Sequence, residues 1–223
     1  MVQYIVVGLV FGSIYALAAS GLVVTYVSTG VLNFAFGAFA FFVARTYYAL
    51  HTEHHWGVVP AAALCLLVLA PALGLLCYGL IFRYLRLASQ LIKVVVTVGL
   101  SVVIPTVATM IFGNTQVFLV PGLAPIPVHI FRVAGVAVTL DQVIAYVCVL
   151  AIVVAGALVL RFTEAGLSVR AMVDSEAMTS LSGSNPARIA AGVWIVSTML
   201  AGLAGILAAP VIGLDAGKFT LLV

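Results

Sequence analysis

Charge is what this chain has least of: Asp, Glu, Lys and Arg make up 7% of its 223 residues, against roughly 25% in a soluble globular protein. Hydrophobic residues make up 65% and the mean hydropathy is +1.33. Such a chain cannot cover itself with polar surface, and the composition points to a polytopic integral membrane protein. Several charge-free runs reach the ~20 residues a helix needs to cross a ~30 Å hydrocarbon core. The alternating period of barrel strands is absent, and backbone amides in lipid must be satisfied internally, so these runs are expected to be helices. No Lys or Arg precedes Arg45. The amino terminus therefore lacks the basic start of a secretory signal; its apolar run is also longer than a signal's and reads as a retained first span.

Other shortages exclude chemistry. The net charge is only +3 and the basic residues are scattered, which gives nucleic acid no footprint. Cys65, Cys77 and Cys148 lie in apolar runs without paired spacing, so they read as small packing residues and no disulfide framework is expected. All four histidines (51, 54, 55, 129) fall in loops, and neither a Gly-x-Ser-x-Gly turn nor a phosphate-binding Gly-x-x-x-x-Gly-Lys-Ser/Thr loop occurs. Carboxylates at membrane depth, which a proton-coupled carrier would use, are also missing, because Asp141 and Asp215 sit at span ends. No catalytic residue, cofactor or metal is assigned, and any transport must be passive or driven from elsewhere. The cluster His51, Glu53, His54 and His55 reads as a solvated external turn in preference to a metal site.

What is present is a succession of six apolar segments, about 3–27, 31–49, 57–82, 94–112, 139–160 and 189–213. The expected fold is all-α: a single transmembrane helix bundle, residues 1–223. The second segment is the least secure, since Gly30 separates it from the first and Arg45 lies near its end; it reads either as a full span or as a broken helix. Loop 83–93 carries Arg83, Arg86 and Lys93, and 161–188 carries three Arg, whereas 50–56 has none and 113–138 only Arg132. The bias of basic residues places both basic loops in the cytoplasm and the amino terminus outside.

Small residues recur every fourth position at Gly8, Gly12, Ala16 and Ser20, and again at Ser197, Ala201, Gly205 and Ala209. That period lets helices approach closely in lipid, so both stripes are expected to pack within the bundle, or else to line a subunit seam or pathway. Asn33 is an amide in apolar surroundings; it reads as a structural hydrogen-bonding group or as part of a substrate path with Phe36 and Gly37. Pro121, Pro125 and Pro127 make 113–138 an extended external loop, and Asp141 suits the amino-terminal end of the helix that follows.

The longest polar stretch, Arg161 to Arg188, holds three of the nine basic residues (Arg161, Arg170, Arg188) and three of the six acidic ones (Glu164, Asp174, Glu176). Leu167, Ala171, Met172, Met178 and Leu181 alternate with its charges, and Gly166 and Gly183 supply breaks. It reads as a short amphipathic helix pair closed by Asn185-Pro186. Physics leaves two readings open, a dock for a soluble partner and a merely solvated hairpin.

The motifs R-F-T-E-A-G-L-S-V-R-A (161–171), Ala177, L-S-G-S-N-P-A-R (181–188) and M-L-A-G-L-A-G-I-L-A-A (199–209) resemble the coupling region and following helix of the branched-chain amino acid permeases of bacterial ABC importers. G-S-I-Y-A-L-A-A-S-G-L (12–22), Tyr26, Gly30 and N-F-A-F-G (33–37) resemble the family's opening motif, and Arg83, Arg86 and V-T-V-G-L-S (96–101) its middle. The chain departs from the pattern at Phe36, usually His, and at Ser184, usually aliphatic; it also stops where relatives continue through further helices.

The resemblance implies a permease subunit in a bacterial inner membrane. ABC ATPase subunits would receive loop 161–188, with Thr163, Gly166, Arg170, Ala171, Ala177 and Gly183 seating a coupling helix and Arg161 and Arg188 marking its membrane ends. A second, commonly non-identical permease subunit and an extracytoplasmic binding protein would complete the system. Branched-chain or other hydrophobic amino acids are the implied substrates, with urea and short amides as a related alternative. A passive channel and a non-transporting scaffold are the readings from other classes.

Overall fold

The computed structural model describes residues 2–85, 88–113, 117, 120–124, 130–133, 136–174, 176–181, 183 and 185–220, excepting the side chains of 2–7, 130–133, 136–138, 174 and 176–178. Arg86, Pro125, Pro127, His129 and Ser184 lie outside the described residues, as do the side chains of Arg132, Asp174, Glu176, Ala177 and Met178.

Helix α1 (Val2–Thr29) is one uninterrupted apolar run. It ends at Gly30, whose φ of +65° lets its N–H reach back to the Tyr26 carbonyl at 2.8 Å, a left-handed cap that glycine adopts without steric penalty. The chain then runs without regular structure to Asn33, held where Thr97 Oγ1 donates to the Leu32 carbonyl at 3.0 Å. Helix α2 spans Phe36–Tyr48 and continues as a π-helical turn, Ala49–Glu53. The next span, Val58–Phe82, alternates α3 (Val58–Leu64) and α4 (Ala70–Cys77) with π-helical turns at Cys65–Leu69 and Tyr78–Phe82. Helix α5 (Gln90–Phe112) contains Pro105, and Gly113 follows it at φ +79°.

Strands β1 (Ile130–Val133) and β2 (Val136–Thr139) form an antiparallel hairpin in the stretch read as extended, pairing Ile130 with Thr139 and Val133 with Val136. Helix α6 (Leu140–Phe162) opens with a capping box in which Gln142 Oε1 accepts from the Thr139 N–H at 3.2 Å. Asp141, one residue into α6, accepts the Ala124 N–H at 2.8 Å and so ties the loop to the helix start. Two short helices follow, α7 (Glu164–Asp174) and α8 (Glu176–Leu181). The last span is α9 (Pro186–Ile212), begun by an Asn185 cap on the Ala187 N–H, and α10 (Ala216–Thr220) ends the described chain.

Among the described residues, five helices are long and apolar enough to cross a membrane: α1, the composite 58–82, α5, α6 and α9. Of the two readings of segment 31–49, a full span or a broken helix, the structure has the second: the left-handed Gly30 and the irregular 31–33 stretch delay its start to Phe36. Its 13 residues and the 5 of the π-helical turn that continues it carry Arg45 and Glu53, and this helix is not among the five. The chain still passes from one end of the bundle to the other here. Leu32 lies beside Thr97 near the start of α5, and Arg45 Nη2 donates to the Phe112 carbonyl at its end, 3.1 Å away.

Helix α9 is the centre: 13 of its residues are buried, against Ala145 alone in α6. Small residues make this possible. A Cβ on Gly205 would strike the Ala40 carbonyl of α2, one on Gly202 would come within 2.9 Å of Val43, and one on Gly74 would meet the Trp194 carbonyl at 2.7 Å. On the remaining side Ser197 Oγ donates to the Gly21 carbonyl of α1 at 3.1 Å. The stripe Ser197, Ala201, Gly205, Ala209 is thus buried. The α1 stripe is not: Gly8 and Gly12 have no neighbouring atom within 4 Å of an added Cβ, and Ala16 is exposed. The packing expected of it inside the bundle is not made, because α1 meets α9 with Ile14, Leu17, Ala18 and Gly21 turned inward instead.

Candidate functional site

The polar island is an elbow of two helices between α6 and α9. Thr163 makes the bend: its Oγ1 donates to the Val159 carbonyl at 2.6 Å and accepts the Gly166 N–H at 3.1 Å, satisfying one of the orphan donors of the new helix as a cap does. Gly166 is pressed onto the last turn of α6, where a side chain would strike the carbonyls of Val159 and Leu160. Any residue with a Cβ would force α7 away from α6.

Beyond that contact α7 is two-faced. Met172 is buried against the bundle, while Leu167 is 63% exposed and Arg170 is exposed beside it, its Nε 3.4 Å from the Gly166 carbonyl. Leu181 at the end of α8 is 82% exposed. Arg161 stands over the exposed ring of Phe162, 5.6 Å from its centroid. Gly183 takes φ +87°, and Arg188 is exposed in the first turn of α9. Thr163, Gly166 and Arg170 are thus joined by hydrogen bonds, with exposed Arg161 before them and the half-buried Ala171 after, while Arg188 belongs to the start of α9. Of Ala177 only the backbone, within α8, is described.

The residues proposed for a path lie elsewhere, inside the bundle. Asn33 is fully buried; its Oδ1 accepts the Ala35 N–H at 3.2 Å and its Nδ2 has no hydrogen-bond partner among the described residues. Phe36 is fully buried against Gly21 of α1, and Gly37 lies against the backbone of Phe219 in α10. The loop cluster has other duties. Glu53 pairs with Arg45 at 3.1 Å, and His51 Nδ1 lies 2.8 Å from the Trp56 carbonyl with its ring stacked on Tyr47. Among the described residues no three His, Cys, Asp or Glu side chains gather as a metal-holding group.

Sequence reasoning missed a cavity of about 300 Å³ beneath the elbow. It is lined by the end of α1 with the residues just after it (27–31), the π-helical turn with Tyr78 and Phe82, Lys93 of α5, Met172 and Val173 of α7, and Pro186, Ala190 and Trp194 of α9. These residues put loop 83–93 and the elbow at the same end of the bundle, as their shared basic character predicts. Phe82 and Trp194 stack at 4.1 Å between centroids. The available signal was a Trp one helical turn above an Ala and two above a Pro in a membrane segment.

The family model described as "Branched-chain amino acid transport system / permease component" matches residues 4–216, which takes in every helix from α1 to α9 and the elbow. The chain belongs to that family. Among curated proteins the chain is similar to the "High-affinity branched-chain amino acid transport system permease protein LivH" of Escherichia coli (strain K12), 27% identical over 210 residues, 90% of this chain and 68% of that one. The "High-affinity branched-chain amino acid transport system permease protein BraD" of Pseudomonas aeruginosa is 26% identical over 215 residues, 92% of this chain and 69% of its own. A "Probable branched-chain amino acid transport permease protein LivH" of Methanocaldococcus jannaschii is 26% identical over 206 residues, covering 88% and 62%. No solved structure matches the chain. Membership in this permease family agrees with the resemblance carried by the elbow and opening motifs, and with a multi-pass helical membrane protein.

Proposed function

We propose that this chain is the membrane-spanning subunit of an ATP-driven importer of branched-chain or other hydrophobic amino acids. The observation that carries the reading is the unbroken family match over 4–216, running through an elbow whose outer face presents Leu167 and Arg170 to solvent. The chain hydrolyses nothing itself. Separate ABC ATPase subunits grip α7 and α8 from the cytoplasm, and their closure on ATP moves α6 and α9, to which the elbow is fused. An extracytoplasmic binding protein delivers substrate to the opposite face. A second permease subunit packs beside this one, and the outward small residues of α1 (Gly8, Gly12, Ala16) suit the seam. The setting is a bacterial inner membrane, with loops 83–93 and 161–188 in the cytoplasm, in keeping with their excess of Arg and Lys. Asn33, Phe36 and Gly37, at the break between α1 and α2, belong to the moving interior of the path.

Reconstitution tests this. With ATPase, second permease and binding protein in proteoliposomes, radiolabelled leucine uptake requires ATP. Uptake without ATP makes the chain a passive channel, and recovery of other proteins but no ATPase with it makes it a scaffold. Competition by urea or short amides in place of leucine moves the substrate to the related alternative.

A further inference from the structure

The cavity beneath the elbow has a polar rim. Ser28 lines it, is 8% exposed, and makes no side-chain hydrogen bond with the described residues. The other hydroxyls of α1, on Ser13, Ser20, Thr25 and Thr29, each donate to a carbonyl of the preceding turn. Beside Ser28, the carbonyls of Val27, Ser28 and Thr29 receive no backbone N–H among the described residues, because a helix leaves its last carbonyls open. Lys93, three residues into α5, is half-buried on the wall and makes no ion pair or hydrogen bond with the described residues. Polar groups withdrawn from water without partners are costly, a cation most of all, so this rim is built to be occupied.

Its depth and surroundings say by what. Ser28, Thr29, Phe82, Lys93 and Pro186 each lie within about one turn of the end of a spanning helix, the level of the membrane interface. Ala190 and Trp194 continue the lining one and two turns further into α9, ~6 and ~12 Å deeper, and give the cavity an apolar floor. Val23, Tyr26 and Val27 of α1 and Leu91, Ile92 and Val95 of α5 are exposed, so hydrocarbon surface flanks the rim on both helices.

We propose that this cavity holds the headgroup of an anionic phospholipid of the phosphatidylglycerol kind, drawn from the bilayer. The phosphodiester carries one negative charge, which Lys93 meets. The headgroup hydroxyls donate to the carbonyls closing α1 and accept from Ser28, and the acyl chains leave along the exposed faces of α1 and α5. Basic pockets between spanning helices take headgroups in this way. A choline headgroup offers those carbonyls no N–H or O–H donor. A free dianion finds no second cation among the described residues of the lining and has no use for the apolar floor. About 300 Å³ accommodates a headgroup and leaves the chains outside. Because Met172 and Val173 of α7 line the same space, an occupant touches the elbow and the bundle at once and holds them together. The importer reading plays no part in this assignment.

The test is native mass spectrometry of the full chain in detergent, titrated with phosphatidylglycerol, phosphatidylethanolamine, phosphatidylcholine or glycerophosphoglycerol, the same headgroup without chains. One phosphatidylglycerol is expected to bind about fivefold or more tightly than either neutral lipid. Lys93→Met lowers that affinity about fivefold and Ser28→Ala about twofold or more. Arg188→Met removes the same charge from the same end of the bundle and leaves it unchanged. Phosphatidylglycerol also raises the melting temperature of the unaltered chain and of Lys93→Arg but not of Lys93→Met, which separates lost binding from misfolding. Equal affinity for the three lipids, or binding indifferent to Lys93→Met, overturns the site. An equal loss in Arg188→Met reduces the attraction to general surface charge, and saturation by glycerophosphoglycerol alone makes the site one for a soluble anion; either result overturns the lipid.

Discussion

Arg45 and Glu53 join the end of α2 to the turn that follows it, Nη1 to Oε1 at 3.1 Å, with the arginine side chain 5% exposed and the glutamate 46%. Arg45 also donates to the Phe112 carbonyl at 3.1 Å and lies over the rings of Tyr48 and Phe112. One guanidinium thus ties α2, its π-helical extension and the end of α5 at the end of the bundle opposite the elbow. Its donors and rings on several sides offset the desolvation of a charge placed this deep.

Glu53→Gln should lower stability only slightly, by about 1 kcal/mol or less, because the carboxylate is half in water and screened. Arg45→Ala should lower it by several times more, since the packing and the Phe112 contact go together. Thermal unfolding in detergent followed by tryptophan fluorescence measures both; equal losses would mean that the ion pair, and not the buried stem, dominates.

Gly205→Ala and Gly12→Ala make a matched pair on two stripes of the same period. The first puts a methyl against the Ala40 backbone and must push α2 off α9, at about 1–3 kcal/mol. The second meets open space and should change monomer stability by less than ~0.5 kcal/mol. Gly12→Leu should instead reduce recovery of the second permease subunit in co-purification; unchanged recovery would take α1 away from the seam.

Arg170→Glu reverses the charge on the exposed face of α7 without touching Gly166 or Met172. Insertion and melting temperature should stay as they are, while ATPase recovery and substrate-stimulated hydrolysis fall about tenfold or more. Normal stimulated ATPase activity in the variant would remove Arg170 from the docking face.

Asn33→Leu loses the acceptor for the Ala35 N–H and also removes a buried, unpaired amide nitrogen. The two effects are each about 1 kcal/mol and opposite in sign, so assembly should be kept while uptake changes. Loss of folded protein would return Asn33 to a purely structural role.

Thr163→Val removes the hydroxyl that accepts the Gly166 N–H but keeps the side-chain shape. Capping bonds of this kind contribute about 1 kcal/mol, so α7 should fray at its start. Faster hydrogen exchange at residues 164–168 than in the unaltered chain is the expected signature, and unaltered exchange there would count against the cap.

Residence in a membrane, the helices, the basic loops at one end and the two-helix elbow were all determined by the chain itself, since each depends on local properties: long apolar runs, glycine and proline breaks, capping residues and charge placed in short loops. The sequence also marked 31–49 as insecure through Gly30 and Arg45, though where its helix begins depended on Thr97 and Ala35 holding the irregular stretch. Which face of a helix turns inward was decided only by the tertiary structure. Gly8, Gly12 and Ala16 repeat at the same spacing as Ala201, Gly205 and Ala209, yet one set faces out and the other is buried, because a local pattern permits close approach without naming the surface that approaches. The same holds for Arg45, whose partners come from three elements, and for the cavity, whose Thr29, Phe82, Lys93, Met172 and Trp194 are scattered along the chain and meet only when antiparallel helices bring their ends together.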